Sequence, residues 1–279
     1  MIEAPATGGY PKARVRQHNT DKPMLNIDQF NLMLIIMTAI AVVVFIALFF
    51  VEAGYGKMIS KKWGPAINNK VAWFIMECPV FITLLAFWIM SPRQWDIVPL
   101  IFFILFEIHY FHRAFVFPWM LRGKNKMPLT ITVMGMIFNT VNGWMQGEWI
   151  FFLSPEGMYS PEWLKTPQFI IGTLIFFAGM IINLQSDYII RHLRKPGDSK
   201  HYLPKGGMYN YVTSANYFGE IIEWTGFAIL TWSWSGVVFA VWTMANLVPR
   251  ANSIYKRYAV EFKDEFYDRP LKRVFPFLY

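Results

Sequence analysis

From Asn31 to Val51 the chain runs for 21 residues without one charged side chain. A hydrocarbon layer about 30 Å thick is crossed by roughly 20 apolar residues in a helix, so this run predicts a transmembrane span. About 30 polar and mixed residues precede it, and it is too long for the apolar part of a cleavable signal. It is therefore expected to remain as an anchor. Apolar windows over 71–90, 98–119, 129–153 and 167–186 predict four further spans. From about 212 to 253 the chain is apolar again, with no charge between Trp224 and Pro249. That length fits one very long helix or two short ones.

Composition agrees with a membrane solvent. Only 16% of the residues are charged against 55% hydrophobic, whereas soluble domains carry about 25% charged residues. The 26 Phe, 12 Trp, 13 Tyr and 16 Met supply bulky groups for lipid-facing and interfacial surfaces. The single cysteine, Cys78, excludes an intrachain disulfide and any zinc or iron–sulfur site built on cysteine.

Basic residues decide between the two readings of 212–253, because Lys and Arg collect in short cytoplasmic loops. If Ser233-Trp234-Ser235-Gly236 is a tight turn between a sixth and a seventh helix, 20 of the 26 basic residues fall on one side. The other side keeps Lys12, Arg14, Arg16, Lys22, Arg93 and Lys165. A single long helix would instead place the two most basic segments on opposite faces. The expectation is an all-α integral membrane protein with seven transmembrane helices and a cytoplasmic C-terminus. Residues 1–30 form an N-terminal tail and 31–279 one membrane domain. The net charge of +8 follows from this topology; a nucleic-acid partner, which calls for a basic stripe on a soluble face, is not expected, and no obligate protein partner is evident.

Ionisable groups inside spans are costly, and each is a candidate functional residue. Here they are Glu77, Glu107, His109, His112, Glu148, Glu220 and Glu223. For Glu107 and Glu148 a functional role stands level with a plain one at the interface or in a hydrogen bond between helices. Glu77, followed by Cys78-Pro79, sits in an apolar stretch where a carboxyl is expected to stay neutral and to be able to donate a hydrogen bond. His109 and His112 are three residues apart, a spacing compatible with a metal, but five histidines in all are too few for a membrane di-iron site. They are read as hydrogen-bonded packing residues near a helix end, with Tyr110 between them offering a phenol at the level of the membrane edge.

Two or three polar stripes are expected to converge on one cytoplasmic mouth. Asn183, Asp187, Arg191 and Arg194 share one helical face, as an i, i+4 salt-bridge face or as phosphate clamps with ribose and amide contacts. Asn216, Glu220 and Glu223 share another; Arg250, Ile254 and Tyr258 a third. Such a mouth suits a large anionic ligand inserted into the bundle. No dinucleotide or P-loop glycine fingerprint is present: Gly54-Tyr55-Gly56 is a lone pair, with Ile59 where a third glycine would stand. A nucleotide would have to be held by helix side chains.

These strings resemble the steroid 5-alpha-reductase (3-oxo-5-alpha-steroid 4-dehydrogenase) family: Trp73 through Pro79, His109-Tyr110-Phe111-His112-Arg113, Asn183 through Gly197, and Tyr202 through Trp224 with Gly206-Gly207 and Gly219-Glu220-Ile221-Ile222-Glu223-Trp224. The similarity covers about residues 50 to 279. It implies a seven-helix reductase that uses NADPH to saturate the 4,5 double bond of a 3-oxo-4-ene steroid, substrate held mainly by helices 1–4 and cofactor by helices 5–7 and the cytoplasmic loops. Glu77 and Tyr110 match the pair that contacts the 3-keto oxygen. Asn183, Asp187, Arg194, Tyr202, Asn216, Arg250 and Tyr258 match cofactor-contacting positions, as do Tyr55 and Lys57. Two positions depart: Met76 replaces the glutamine that usually precedes the glutamate, and Ile254 replaces a histidine one turn after Arg250.

By this resemblance the enone's β carbon receives hydride, charge develops on the carbonyl oxygen, and donors from Tyr110 and a neutral Glu77 stabilise the enolate. Partners would be a steroid or related lipid and membrane lipid. The location would be a bacterial inner membrane, or the endoplasmic reticulum of a eukaryote. Two alternatives stay open: a reductase of another enone, enoyl thioester or polyprenol, and a non-enzymatic sterol or lipid carrier, which would not need an arginine and asparagine stripe.

Overall fold

The structure is a computed structural model, and it describes residues 22–51, 63–122, 125–193 and 201–279. Within them the chain is mostly helical. Helix α1 spans Ile27–Phe50 and starts four residues before the uncharged run, because Asn26 forms a reciprocal capping box with Gln29. Helix α2 is Asn69–Met90, and α3 runs Ile97–Met120 through a π-helical turn at His112–Val116. Helix α4, Leu129–Glu148, also closes on a π turn, Trp149–Leu153. Helix α5 is Pro167–His192, α6 Ala215–Thr231, α7 Trp234–Glu261 and α8 the short Lys263–Tyr267.

The break between α6 and α7 is tighter than expected. Trp232 takes a left-handed conformation (φ 47°) and Ser233 caps α7 through the Gly236 amide, so Trp234, Ser235 and Gly236 are already helix. Helices α1, α2, α3 and α5 are long and apolar enough to cross a membrane. The other long helices carry the polar load: α4 buries Asn139, Asn142, Gln146 and Glu148, and α6 buries Glu223. Ile35 and Val43 of α1, both 65% exposed, belong to an outer surface suited to lipid.

Loop contacts sort the helix ends into two groups. At one end, strands β1 (Ala66–Asn68) and β2 (Lys126–Pro128) pair antiparallel, Ile67 opposite Met127, joining the segments before α2 and α4. There too Val212 bridges Lys272, and Arg269 donates to the Tyr209 carbonyl at 2.8 Å. At the other end Arg93 donates to Ser154, Tyr159 to the Thr231 carbonyl and Leu25 to Glu148. Glu148 takes the Trp144 indole N–H from its own helix with the other oxygen, and it is the Leu25 bond, from the segment before α1, that fits the interhelical reading of that residue.

The tightest packing is between α5 and α6. Gly172 and Gly179 face Gly226 and Gly219, two glycines seven residues apart on each helix. A Cβ on Gly219 would stand 2.4 Å from the Asn183 amide nitrogen, so only glycine lets the backbones touch there. Around this seam Trp224, Phe106, Phe176, Phe227 and Phe239 form the buried aromatic core.

Candidate active site

Glu77 of α2 and Tyr110 of α3 are both buried, 8% and 4% exposed. Tyr110 lies in the core, its ring stacked on Trp224 at 5.5 Å. The amides of α4 reach both residues. Asn139 Nδ2 donates to Glu77 Oε2 at 3.1 Å and to the Met76 carbonyl at 2.7 Å. One turn on, Asn142 Nδ2 donates to the Tyr110 hydroxyl at 3.3 Å. Gln146 Nε2 in turn donates to Asn142 Oδ1 at 3.3 Å and to the Ser235 carbonyl at 3.0 Å. Met76 leans on Gly135 of α4, where a Cβ would meet its Cγ at 2.4 Å.

Beside this pair lies a charged layer centred on Arg113. Its guanidinium donates to Asp187 of α5 and Glu220 of α6, each at 3.5 Å, and lies over the rings of Trp73 and Phe117 at 4.9 and 4.6 Å. The i, i+4 reading of the α5 stripe gives way here, since Asp187 turns across the bundle to Arg113 and Asn216. His109 Nδ1 meets Glu223 Oε1 at 2.8 Å, with exposures of 7% and 0%. That bears out its reading as a hydrogen-bonded residue. Both oxygens of buried Glu107 lack a hydrogen-bond partner.

The cofactor candidates divide into groups. Asn183 Nδ2 donates to the Asn216 carbonyl at 2.9 Å, Asn216 Nδ2 to Asp187 Oδ1 at 3.3 Å, and the Tyr209 hydroxyl to Asn216 Oδ1 at 3.4 Å. These three candidates are brought together by the glycine seam. Tyr258 of α7 packs in one cluster with Phe262, Phe266 and Leu203, and Leu203, in the segment between α5 and α6, directly follows exposed Tyr202. Arg250 is half-buried on α7, directly after Pro249. Tyr55, Lys57 and Arg194 lie outside the described residues. One buried donor at this end, Arg191 Nη1, has no hydrogen-bond partner, which fits an anionic group such as a phosphate. Gly206 and Gly207 open the turn at positive φ, 93° and 52°, a conformation that glycine adopts without strain.

Sequence reasoning missed Asn139, Asn142 and Gln146, and gave Arg113 no role. A signal was present: the amides at 139, 142 and 146 recur at i, i+3 and i+7 in a window whose one charged residue is Glu148. A cleft of about 650 Å³ lies elsewhere, lined by Phe49, Lys256 and Arg257 among others, and contains none of the candidate residues.

Fold and site together define a polytopic membrane protein with a buried acid and phenol set on a rack of amides, next to a layer of charged side chains. The sequence profile of the 3-oxo-5-alpha-steroid 4-dehydrogenase family matches residues 125–279. Among curated proteins, the steroid 5-alpha-reductase DET2 of Arabidopsis thaliana is 38% identical over 241 residues, 82% of this chain and 89% of its own. The 3-oxo-5-alpha-steroid 4-dehydrogenase 1 of Mus musculus is 37% identical over 86% of this chain and 92% of its own. The Homo sapiens enzyme of the same name is 36% identical over 81% and 86%. The chain belongs to the steroid 5-alpha-reductase family of oxidoreductases acting on CH–CH bonds.

Proposed function

We propose that this protein reduces the 4,5 double bond of 3-oxo-4-ene steroids with NADPH, Glu77 and Tyr110 polarising the 3-keto oxygen. The observation that carries the reading is the pairing of these two buried side chains on adjacent amides of one helix, in a chain of this family. NADPH, when bound, supplies a hydride to C5. The chain's own work lies at the other end of the enone. The Tyr110 hydroxyl and the neutral carboxyl of Glu77 donate to the oxygen on which negative charge develops, with the Tyr110 ring packed against Trp224 and Phe106. Protonation of the α carbon then completes the reduction, with water as the donor. Turnover of purified protein with NADPH and a panel of enones tests the assignment. Reduction of a 3-oxo-4-ene steroid to the 5α product is expected; reduction only of a different enone, thioester or polyprenol overturns the substrate class.

Residues that would hold the cofactor are Asn183, Asp187, Asn216, Tyr202, Arg250 and Tyr258, together with Tyr55, Lys57 and Arg194. The partnerless Nη1 of Arg191 supports a phosphate at this end. NADPH is expected to be preferred over NADH, and Arg194→Ala to weaken its binding by about 1.5–3 kcal/mol, the range for hydrogen bonds to charged groups. Titrations of both cofactors check this, and equal affinity of the wild type for the two would sink it.

The same reading makes residues 31–279 one reductase domain of seven spans after a tail at 1–30. It places the N-terminus outside and Tyr279 in the cytoplasm. The 20-to-6 division of basic residues supports it, as does the grouping of loop contacts into two ends. Reporter fusions at the two termini are expected to read out on opposite sides of the membrane. A shared side would remove the seven-span arrangement.

A further inference from the structure

We infer that Asn142 and Asn139 are positioning residues that set the direction in which Tyr110 and Glu77 present their protons. The inference rests on the proposed carbonyl site and deepens it. An amide side chain has a donor end and an acceptor end, and which end faces which neighbour follows from the network around it. Here two main-chain carbonyls, which can only accept, decide the assignment. The Ser235 carbonyl takes one N–H of Gln146, and the other N–H of the same nitrogen goes to Asn142 Oδ1. With its oxygen so engaged, Asn142 can turn only its NH₂ to the Tyr110 oxygen. Reversing Gln146 would set its oxygen against the Ser235 carbonyl, an acceptor that cannot turn; in the orientation adopted that oxygen is buried without a hydrogen-bond partner. The Met76 carbonyl does the same for Asn139, whose second N–H reaches Glu77 Oε2.

The chemical consequence is the same at both residues. A phenol oxygen that already accepts an N–H has its own O–H left to donate elsewhere. A neutral carboxyl whose Oε2 accepts an N–H carries its proton on Oε1. Each group thus meets the ligand as a donor before any ligand arrives, and no reorientation is needed as charge builds on the carbonyl oxygen. Polarisation along the chain from Ser235 through Gln146 and Asn142 adds to the donor strength of the phenol. Without the amides the same two side chains could each present a lone pair to the substrate.

Steady-state kinetics of Asn142→Leu, alone and combined with Tyr110→Phe, tests the idea. Leu keeps the approximate size of the side chain and removes the donor. The single variant is expected to lose kcat by about 10- to 100-fold, the scale seen when groups that orient catalytic ligands are removed, with the steroid KM changed less than about three-fold on the same grounds. In the Tyr110→Phe background the substitution should cost nothing more, since there is no hydroxyl left to direct. Gln146→Leu, which frees the Asn142 amide to turn, should show a smaller loss with the same dependence on Tyr110, and it decides the matter if Asn142→Leu does not fold by its tryptophan-fluorescence melting curve. Asn139→Leu should behave likewise toward Glu77→Ala.

Turnover of Asn142→Leu within two-fold of wild type, or a loss that simply multiplies with that of Tyr110→Phe, overturns the positioning role. If Tyr110→Phe itself turns over normally, the carbonyl-site reading has failed instead, and the two failures are told apart by that one variant.

Discussion

Tyr110→Phe is expected to lower kcat/KM for a 3-oxo-4-ene steroid by about 10²- to 10³-fold while NADPH binding is retained, the usual cost of one oxyanion donor. The substitution removes a hydroxyl and leaves the ring stacked on Trp224, so the fold is expected to be kept at the cost of the one hydrogen bond from Asn142. At Glu77 the pattern of hydrogen bonds makes a sharper forecast. In Glu77→Gln the amide oxygen can accept from Asn139 as Oε2 does, and the NH₂ can donate outward in place of the acid proton. Gln should therefore keep measurable turnover and Ala should lose it. NADPH oxidation by the three variants checks this. Loss of turnover in Gln as well as Ala would show that the proton of Glu77 moves in the reaction. Near-wild-type rates in both Tyr110→Phe and Glu77→Ala would mean that the carbonyl lies elsewhere.

The second large effect is on stability. His109 and Glu223 are held 2.8 Å apart with no access to solvent for the carboxylate, and Glu223 Oε2 has no other partner. His109→Phe would leave that carboxyl buried alone, and breaking such a pair from one side costs about 3–5 kcal/mol. Replacing both, His109→Phe with Glu223→Leu, should recover most of the loss, because two apolar side chains leave nothing unsatisfied. Thermal unfolding in detergent measures the two variants side by side. A double variant no more stable than the single would mean that packing against Trp224, 4.6 Å from the His109 ring, and not the pair, is what the substitution disturbs.

The sequence alone carried the solvent, the helices and the family. A 21-residue uncharged run has no stable alternative to a helix in lipid, since every backbone polar group must find its partner within the segment. Strings such as His109 through Arg113 and Gly219 through Trp224 carried the family, and with it Glu77 and Tyr110. Periodicity also put Asn183 and Asp187 on one face, and the glycines at 172, 179, 219 and 226 were there to be read as a seam.

What only the tertiary structure decided is which partners those faces meet. Asp187 could serve Arg191 on its own helix by spacing; it serves Arg113 from another, because the glycine seam draws α6 close and brings Asn216 to α5. Tyr110 belongs to the core because Trp224 covers it, a contact 114 residues away in sequence. Above all, the direction of an amide is invisible to pattern. Whether Asn142 offers nitrogen or oxygen to Tyr110 depends on a carbonyl at Ser235, on a third helix. Helical periodicity reports which side of a helix a residue occupies, whereas a hydrogen-bond direction is set by the whole network and exists only once the helices are packed.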